Sequence, residues 1–382
     1  MRARANLPPL AQPIPWHVWC AVLAVTSAMV GVHWDISWHR SIGRDTFFTA
    51  PHIAIHLCGV LAGIASGFLI LDTTFRKSST QPSVRIWGFR GPLGAFICAW
   101  GGIAMLASAP FDNWWHDAYG LDVKIISPPH ALLALGMFTV QLGALILVLG
   151  YLNRAEGAQK RTLERLFVYI GGMMLVMITV FLMEKTDRSD MHTGGFFLTL
   201  ALALPLVLVG VSRASGHPWG ATQTALVYTL FQLALVWILP RFPAVPKLGP
   251  VYYPTTQFVP PPFPLLLLAP AVAIDLLRQR TQGRVSAWTE ALLAGGLFLG
   301  ALFLVQWPFA IFLQSSLSRN WFFATHYFGY NTRHHWAGAL NVFSDHETRA
   351  QFWRSLSLAV VAACLLARAG IAWGDWMKRI RR

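Results

Sequence analysis

The 382-residue chain is 55% hydrophobic and 13% aromatic, with only 12% charged residues and a mean hydropathy of +0.50, whereas a soluble domain carries about 25% charged residues. This composition excludes a soluble enzyme and a nucleic-acid-binding domain. It predicts an all-α, polytopic integral membrane helical bundle, because in hydrocarbon each backbone polar group must be satisfied inside its own segment.

Ten stretches approach the roughly 20 apolar residues needed to cross a bilayer. They lie near 16–34, 51–71, 91–111, 127–151, 166–183, 193–211, 221–240, 260–277, 291–313 and 355–373, the last interrupted by Arg368. The start, MRARANLPPLAQPIPW, is basic, but a full-length span without an A-x-A site follows, which reads as a retained first helix and not a cleaved signal. With the N-terminus in the cytoplasm, alternation places 19 Lys and Arg inside and 11 outside. The formal charge of +14 is therefore the bias that orients the helices in a cell (inner or plasma) membrane, with both termini cytoplasmic and no nucleic-acid partner implied.

Gly59, Gly63 and Gly67 form a small-residue stripe on the second span, expected to mark a close helix contact. The four cysteines are isolated within spans, with neither CxxC nor paired spacing, and read as packing residues. Phosphate loops, dinucleotide fingerprints, Ser/His/Asp ordering and CxxCH haem sites are all missing from the sequence.

The segments WDISWHRSIGRDTFFTAPH and FDNWWHDAYGLDVKIISPPH superimpose. Asp35, Trp38, His39, Gly43, Asp45, Pro51 and His52 correspond to Asp112, Trp115, His116, Gly120, Asp122, Pro129 and His130, at an offset of 77 that becomes 78. This is an internal duplication of helical hairpins within residues 1–155; residues 156–382 then form an additional bundle of about six spans with an outer loop at 314–352. In each copy the carboxylate and first histidine are four apart, so on a continuous helix they share a face, about 6 Å apart at Cβ. The second histidine opens the returning helix. One hard oxygen and two imidazole nitrogens suit copper, with iron or zinc as alternatives, and ionisable groups at the membrane are functional candidates by default. The bland alternative is a charge-assisted hydrogen bond at a helix end, with Trp38 and Trp115 as interfacial anchors.

Eleven of the 13 histidines fall on the outer side in this topology. His56, one turn from His52, would serve the first set alone as a fourth ligand or supporting donor, since the second copy has Ala134 there. Asp45 and Asp122 read as loop or capping residues, or as partners that orient a histidine. His334 and His335, in NTRHHW, lie in an amphipathic outer loop that could bring one of them towards the metal sites. Glu184, Asp187, Asp190 and His192 read as a solvated acidic turn, and PVYYPTTQFVPPPFP as the lining of an apolar entrance or a dock for another subunit.

Asp-x3-His-x12-His (Asp35, His39, His52) and Asp-x3-His-x13-His (Asp112, His116, His130) resemble the two metal-ligand patterns of the C subunit of copper membrane monooxygenases, the particulate methane and ammonia monooxygenases. The resemblance covers about residues 15–155, with Asp112 standing where the family has Asn. It implies copper at each set, oxygen-dependent hydroxylation of a small apolar or amine substrate, and a complex with other monooxygenase subunits or an oligomer embedded in membrane lipid. Two alternatives use the same residues: a non-enzymatic copper transport, storage or oxidase-assembly protein, and a b-type cytochrome with His52 and His130 as axial ligands.

Overall fold

The computed structural model describes residues 13–43, 48–76, 82–120, 127–187, 190–247, 255–281, 283–324 and 347–381. The chain is an all-α, multi-pass membrane protein. Among the described residues, nine helical segments are long and apolar enough to cross a bilayer. Five belong to the first half: α1 (Trp16–Ser41), α2 (Ala50–Phe75), α3 (Leu93–Tyr119), α4 (Pro128–Leu152) and α5 (Gly157–Phe181). The others comprise α6 (Gly194–Ala201) with α7 (Leu204–Ser215) as one broken span, α8 (Gly220–Ile238) with the turn to Arg241, α10 (Ala287–Gln314) and α11 (Arg349–Met377). A two-residue turn joins a short hairpin, β1 (Val84–Ile86) and β2 (Phe89–Gly91), between α2 and α3.

The chain divides into two compact units. The first contains residues 1–32, 46–170 and 376–382, and the second 33–45 and 171–375. In the first, α2, α3 and α4 approach at glycines. A Cβ on Gly101 would stand 2.7 Å from the Val140 nitrogen, and one on Gly102 would stand 2.9 Å from the Gly59 carbonyl oxygen. Of the predicted stripe on α2, only Gly59 is crowded in this way, with nothing within 4 Å of a Cβ on Gly63 or Gly67. Polar side chains pair inside the apolar unit: His17 Nε2 with Tyr151 Oη at 2.7 Å, and Thr26 Oγ1 with Tyr169 Oη at 2.7 Å. Asn153 Nδ2 donates to the carbonyls of Met377 and Ile380, at 2.9 and 2.6 Å.

In the second unit the predicted helix at 260–277 is replaced by an extended stretch leading into a shorter helix, α9 (Leu268–Thr281). Pro260, Pro261, Pro262 and Pro264 explain the difference, because each lacks an N–H and pushes the preceding residue out of the α region. The two halves nevertheless run the length of α8. Phe258 N–H donates to Phe242 O at 3.2 Å beyond the end of α8, and Leu265 N–H donates to Tyr228 Oη at 3.1 Å midway. Asp275 then accepts from Ala221 and Thr222 N–H at the start of α8, at 3.1 and 2.8 Å. Backbone outside a helix survives at membrane depth only where protein satisfies it. Here Ser37 Oγ donates to Val259 O at 2.6 Å, Ser41 Oγ accepts from Val259 N–H at 2.8 Å, and buried Gln306 Oε1 accepts from Leu266 N–H at 3.0 Å.

A buried ionic network closes the opposite end of that segment, at α9. Asp275 is fully buried and also accepts from Ser212 Oγ at 2.7 Å and Thr222 Oγ1 at 2.8 Å. Buried Arg278 donates to Ser212, and Arg213 grips Asp375 through two nitrogens at 2.8 and 3.2 Å while reaching Glu290 at 3.4 Å. Arg368, the charge that interrupts the last apolar stretch, sits 5.3 Å from the centre of the Trp288 ring, where the π face offsets part of its desolvation.

Candidate metal centre

The helix of α3 runs on past its apolar stretch to Tyr119, through Pro110, so Asp112 and His116 lie one turn apart on one face. His116 Nε2 stands 3.4 Å from Asp112 Oδ2. After the loop, α4 opens with Ser127 as its N-cap, whose Oγ accepts from His130 N–H at 3.4 Å, and with prolines at its first two positions. Proline there loses no helical hydrogen bond and fixes the entering backbone. The third residue of α4 is His130, and its Nε2 lies 3.6 Å from Asp112 Oδ1. One carboxylate thus faces two imidazoles from two helices. All three side chains are partly exposed, at 23% for Asp112, 26% for His116 and 38% for His130, which leaves the cluster reachable from outside the bundle.

The corresponding elements of the first copy are placed similarly within their own helices. Asp35 and His39 are one turn apart on α1, with His39 Nε2 3.8 Å from Asp35 Oδ2. His52 is the third residue of α2, after Thr49 as N-cap and Pro51. The set is divided between the units, Asp35 and His39 belonging to the second and His52 and His56 to the first. Asp45, Asp122, His334 and His335 lie outside the described residues.

His56 has a relationship that its sequence position conceals. Within the first unit it is close enough to interact electrostatically with Asp112 as well as with His52. The sequence pairs His56 with His52 alone, since the repeat has Ala134 in its place, but close packing of α2 against α3 at Gly59 and Gly102 brings it within range of the second carboxylate.

As a metal-binding set, Asp112, His116 and His130 combine suitable donors with short separations. Two ligands bound at about 2.1 Å on a tetrahedral ion stand about 3.4 Å apart. Asp112 Oδ1 and His116 Nδ1 are also buried atoms without hydrogen-bond partners among the described residues. The two imidazoles address different carboxylate oxygens, and as the side chains stand no group of three or more His, Cys, Asp or Glu among the described residues is disposed to hold an ion. The donor chemistry therefore fits a transition metal, while capture of one requires the side chains to close further.

The Asp275, Arg278, Arg213, Glu290 and Asp375 network has no counterpart in the motifs described above. Its only sequence signal is ionisable residues bordering or interrupting apolar stretches, with Asp275 and Arg278 three apart. The acidic turn differs too. His192 is half-buried, bonded through Nε2 to the Trp307 carbonyl at 2.9 Å, with its ring 4.3 Å from that indole.

Compared with known proteins, the chain matches no protein-family model, and no curated protein or solved structure resembles it at a significant level.

Proposed function

We propose that the chain is a membrane metalloprotein that holds copper at Asp112, His116 and His130, of the kind represented by the C subunit of the copper membrane monooxygenases. The observation that carries this reading is the Asp112 carboxylate placed 3.4 and 3.6 Å from imidazole nitrogens of two different helices. Asp112 would contribute the negative oxygen that offsets part of the ion's charge, and His116 and His130 the borderline nitrogens that copper favours. Copper, when bound, supplies the dioxygen chemistry needed to hydroxylate a small apolar or amine substrate. His56, within electrostatic range of Asp112, is suited to orient the carboxylate. In the proposed topology both termini are cytoplasmic in the cell membrane, and the centre lies at the outer edge. Counting the extended stretch with α9 as a tenth crossing, beside the nine helical spans among the described residues, would place both termini on one side.

The test is copper content by mass spectrometry in protein purified in mild detergent, with and without His116→Ala and His130→Ala together. The expected result is loss of bound copper in a variant whose circular dichroism and size-exclusion profile are unchanged. Equal stoichiometry in both proteins overturns the assignment, and copper binding without oxygen uptake on any small alkane or amine leaves the metal while removing the monooxygenase reading.

A further inference from the structure

We infer that the second unit contains a binding cavity for a small neutral molecule with an apolar body and one hydrogen-bond donor, a phenol or short alcohol, built around Gln232 and the broken eighth crossing. A cavity of about 110 Å³ lies between the end of α1, the end of α5, α8 and the extended stretch through Leu265. Its apolar walls include Ile36, Val180, Met183 and Met191, together with the proline run.

The polar groups in the cavity define the ligand. Gln232 is 6% exposed, lines the cavity, and its Oε1 is buried with no hydrogen-bond partner among the described residues. A buried amide oxygen left unmatched costs about 1–3 kcal/mol, so this position favours an incoming donor. Tyr228, beside it, is not in the same condition, because its hydroxyl accepts from Leu265 N–H. The formal charges of the lining, on half-buried Arg40 and exposed Asp187, are of opposite sign, and besides Tyr228 the other titratable lining group is the buried His33. That combination selects an uncharged donor over a carboxylate or an ammonium.

The second observation is the backbone itself. Irregular chain at membrane depth is tolerated where it is enclosed by protein or lines a cavity, and interrupted helices mark solute sites in membrane transporters. The Pro260–Pro264 stretch does both here. The backbone on either side of it is fastened at Val259 by Ser37 and Ser41, at Leu265 by Tyr228 and at Leu266 by Gln306, and the stretch itself lines the cavity together with Gln232. An apolar cavity of roughly 150 Å³ admits benzene, so this smaller and partly open one, at about 110 Å³, takes most of a six-membered ring with the remainder at its mouth. The inference is independent of the metal at Asp112.

The experiment uses the full-length protein in nanodiscs, with phenol and toluene as ligands and saturable binding read by saturation-transfer NMR. Phenol is expected to bind at least about fivefold more tightly than toluene, the equivalent of one buried hydrogen bond. Gln232→Met, which keeps the volume but removes the acceptor, is expected to erase that difference. Equal binding of the two ligands by the unmodified protein, or no saturable phenol binding, overturns the proposal without recourse to any variant. So does a phenol preference that survives in Gln232→Met, or an experimental structure in phenol that shows only an ordered water at Gln232.

Discussion

Asp112 and His130, eighteen residues apart in sequence, meet with Oδ1 and Nε2 separated by 3.6 Å, and this contact links the end of α3 to the start of α4. It is longer than a hydrogen bond and partly exposed, so as an ion pair it contributes at most about 1 kcal/mol. Asp112→Asn is accordingly expected to leave the thermal midpoint in detergent almost unchanged and, on the proposal that Asp112 ligates copper, to lower copper affinity at least tenfold, because a charged ligand would become a weak neutral one. A large loss of stability with unaltered copper binding would show the carboxylate to be structural.

The i, i+4 placement of Asp112 and His116 was legible from spacing, because helical periodicity carries through an interfacial segment once Pro110 is absorbed. The N-terminal placement of His52 and His130 was legible from Pro51 and Pro129. The reach of His56 to Asp112 was not, because it depends on how closely α2 and α3 approach at Gly59 and Gly102, a tertiary fact. The eighth crossing was legible as apolar length but not as a helix. Hydropathy counts side chains, whereas the four prolines act on backbone donors, and the hydroxyls and amides that replace them lie on distant helices.

Glycine packing sets the distance between the helices that carry the cluster. A Cβ on Gly101 meets backbone of α4 at 2.7 and 2.8 Å, and backbone cannot swing aside. Gly101→Ala is expected to cost about 1–3 kcal/mol and, on the proposed copper site, to reduce copper affinity by displacing Asp112 from His130. Gly63→Ala, with nothing within 4 Å, is the control. It should be neutral or stabilising by up to about 1 kcal/mol through helix propensity, with copper retained. Chemical denaturation paired with metal analysis distinguishes the two.

The extended stretch and α9 depend on side-chain acceptors at the middle and at the start of α8. Tyr228→Phe removes the acceptor of the Leu265 N–H and should cost about 1–2 kcal/mol, with faster hydrogen exchange at Leu265 than at Val259, which Ser41 continues to hold. Asp275→Ala should be harsher. It strands two backbone N–H groups and two hydroxyls in a fully buried position and leaves Arg278 without its nearby anion, for a loss of about 3–5 kcal/mol. A midpoint within a degree of the parent protein would mean that the network is dispensable.

His192 supplies a pH dependence whose sign can be worked out. It lies outside the spanning segments, and burial lowers its pKa below the ordinary 6.5, with the bond to the Trp307 carbonyl opposing the shift in part. The folded chain therefore binds this proton less readily than the unfolded chain does. Below about pH 6.5 the unfolded form takes up a proton that the folded form resists, so stability gained from neutral His192 is full above that pH and is lost as pH falls towards the lowered folded value. His192→Gln, which cannot titrate but can still donate to Trp307, should flatten the fall in thermal midpoint between pH 7 and pH 5 without much changing the midpoint at pH 7.5. If parent and variant decline in parallel over that range, another group carries the acid sensitivity and the burial of His192 has no consequence for stability.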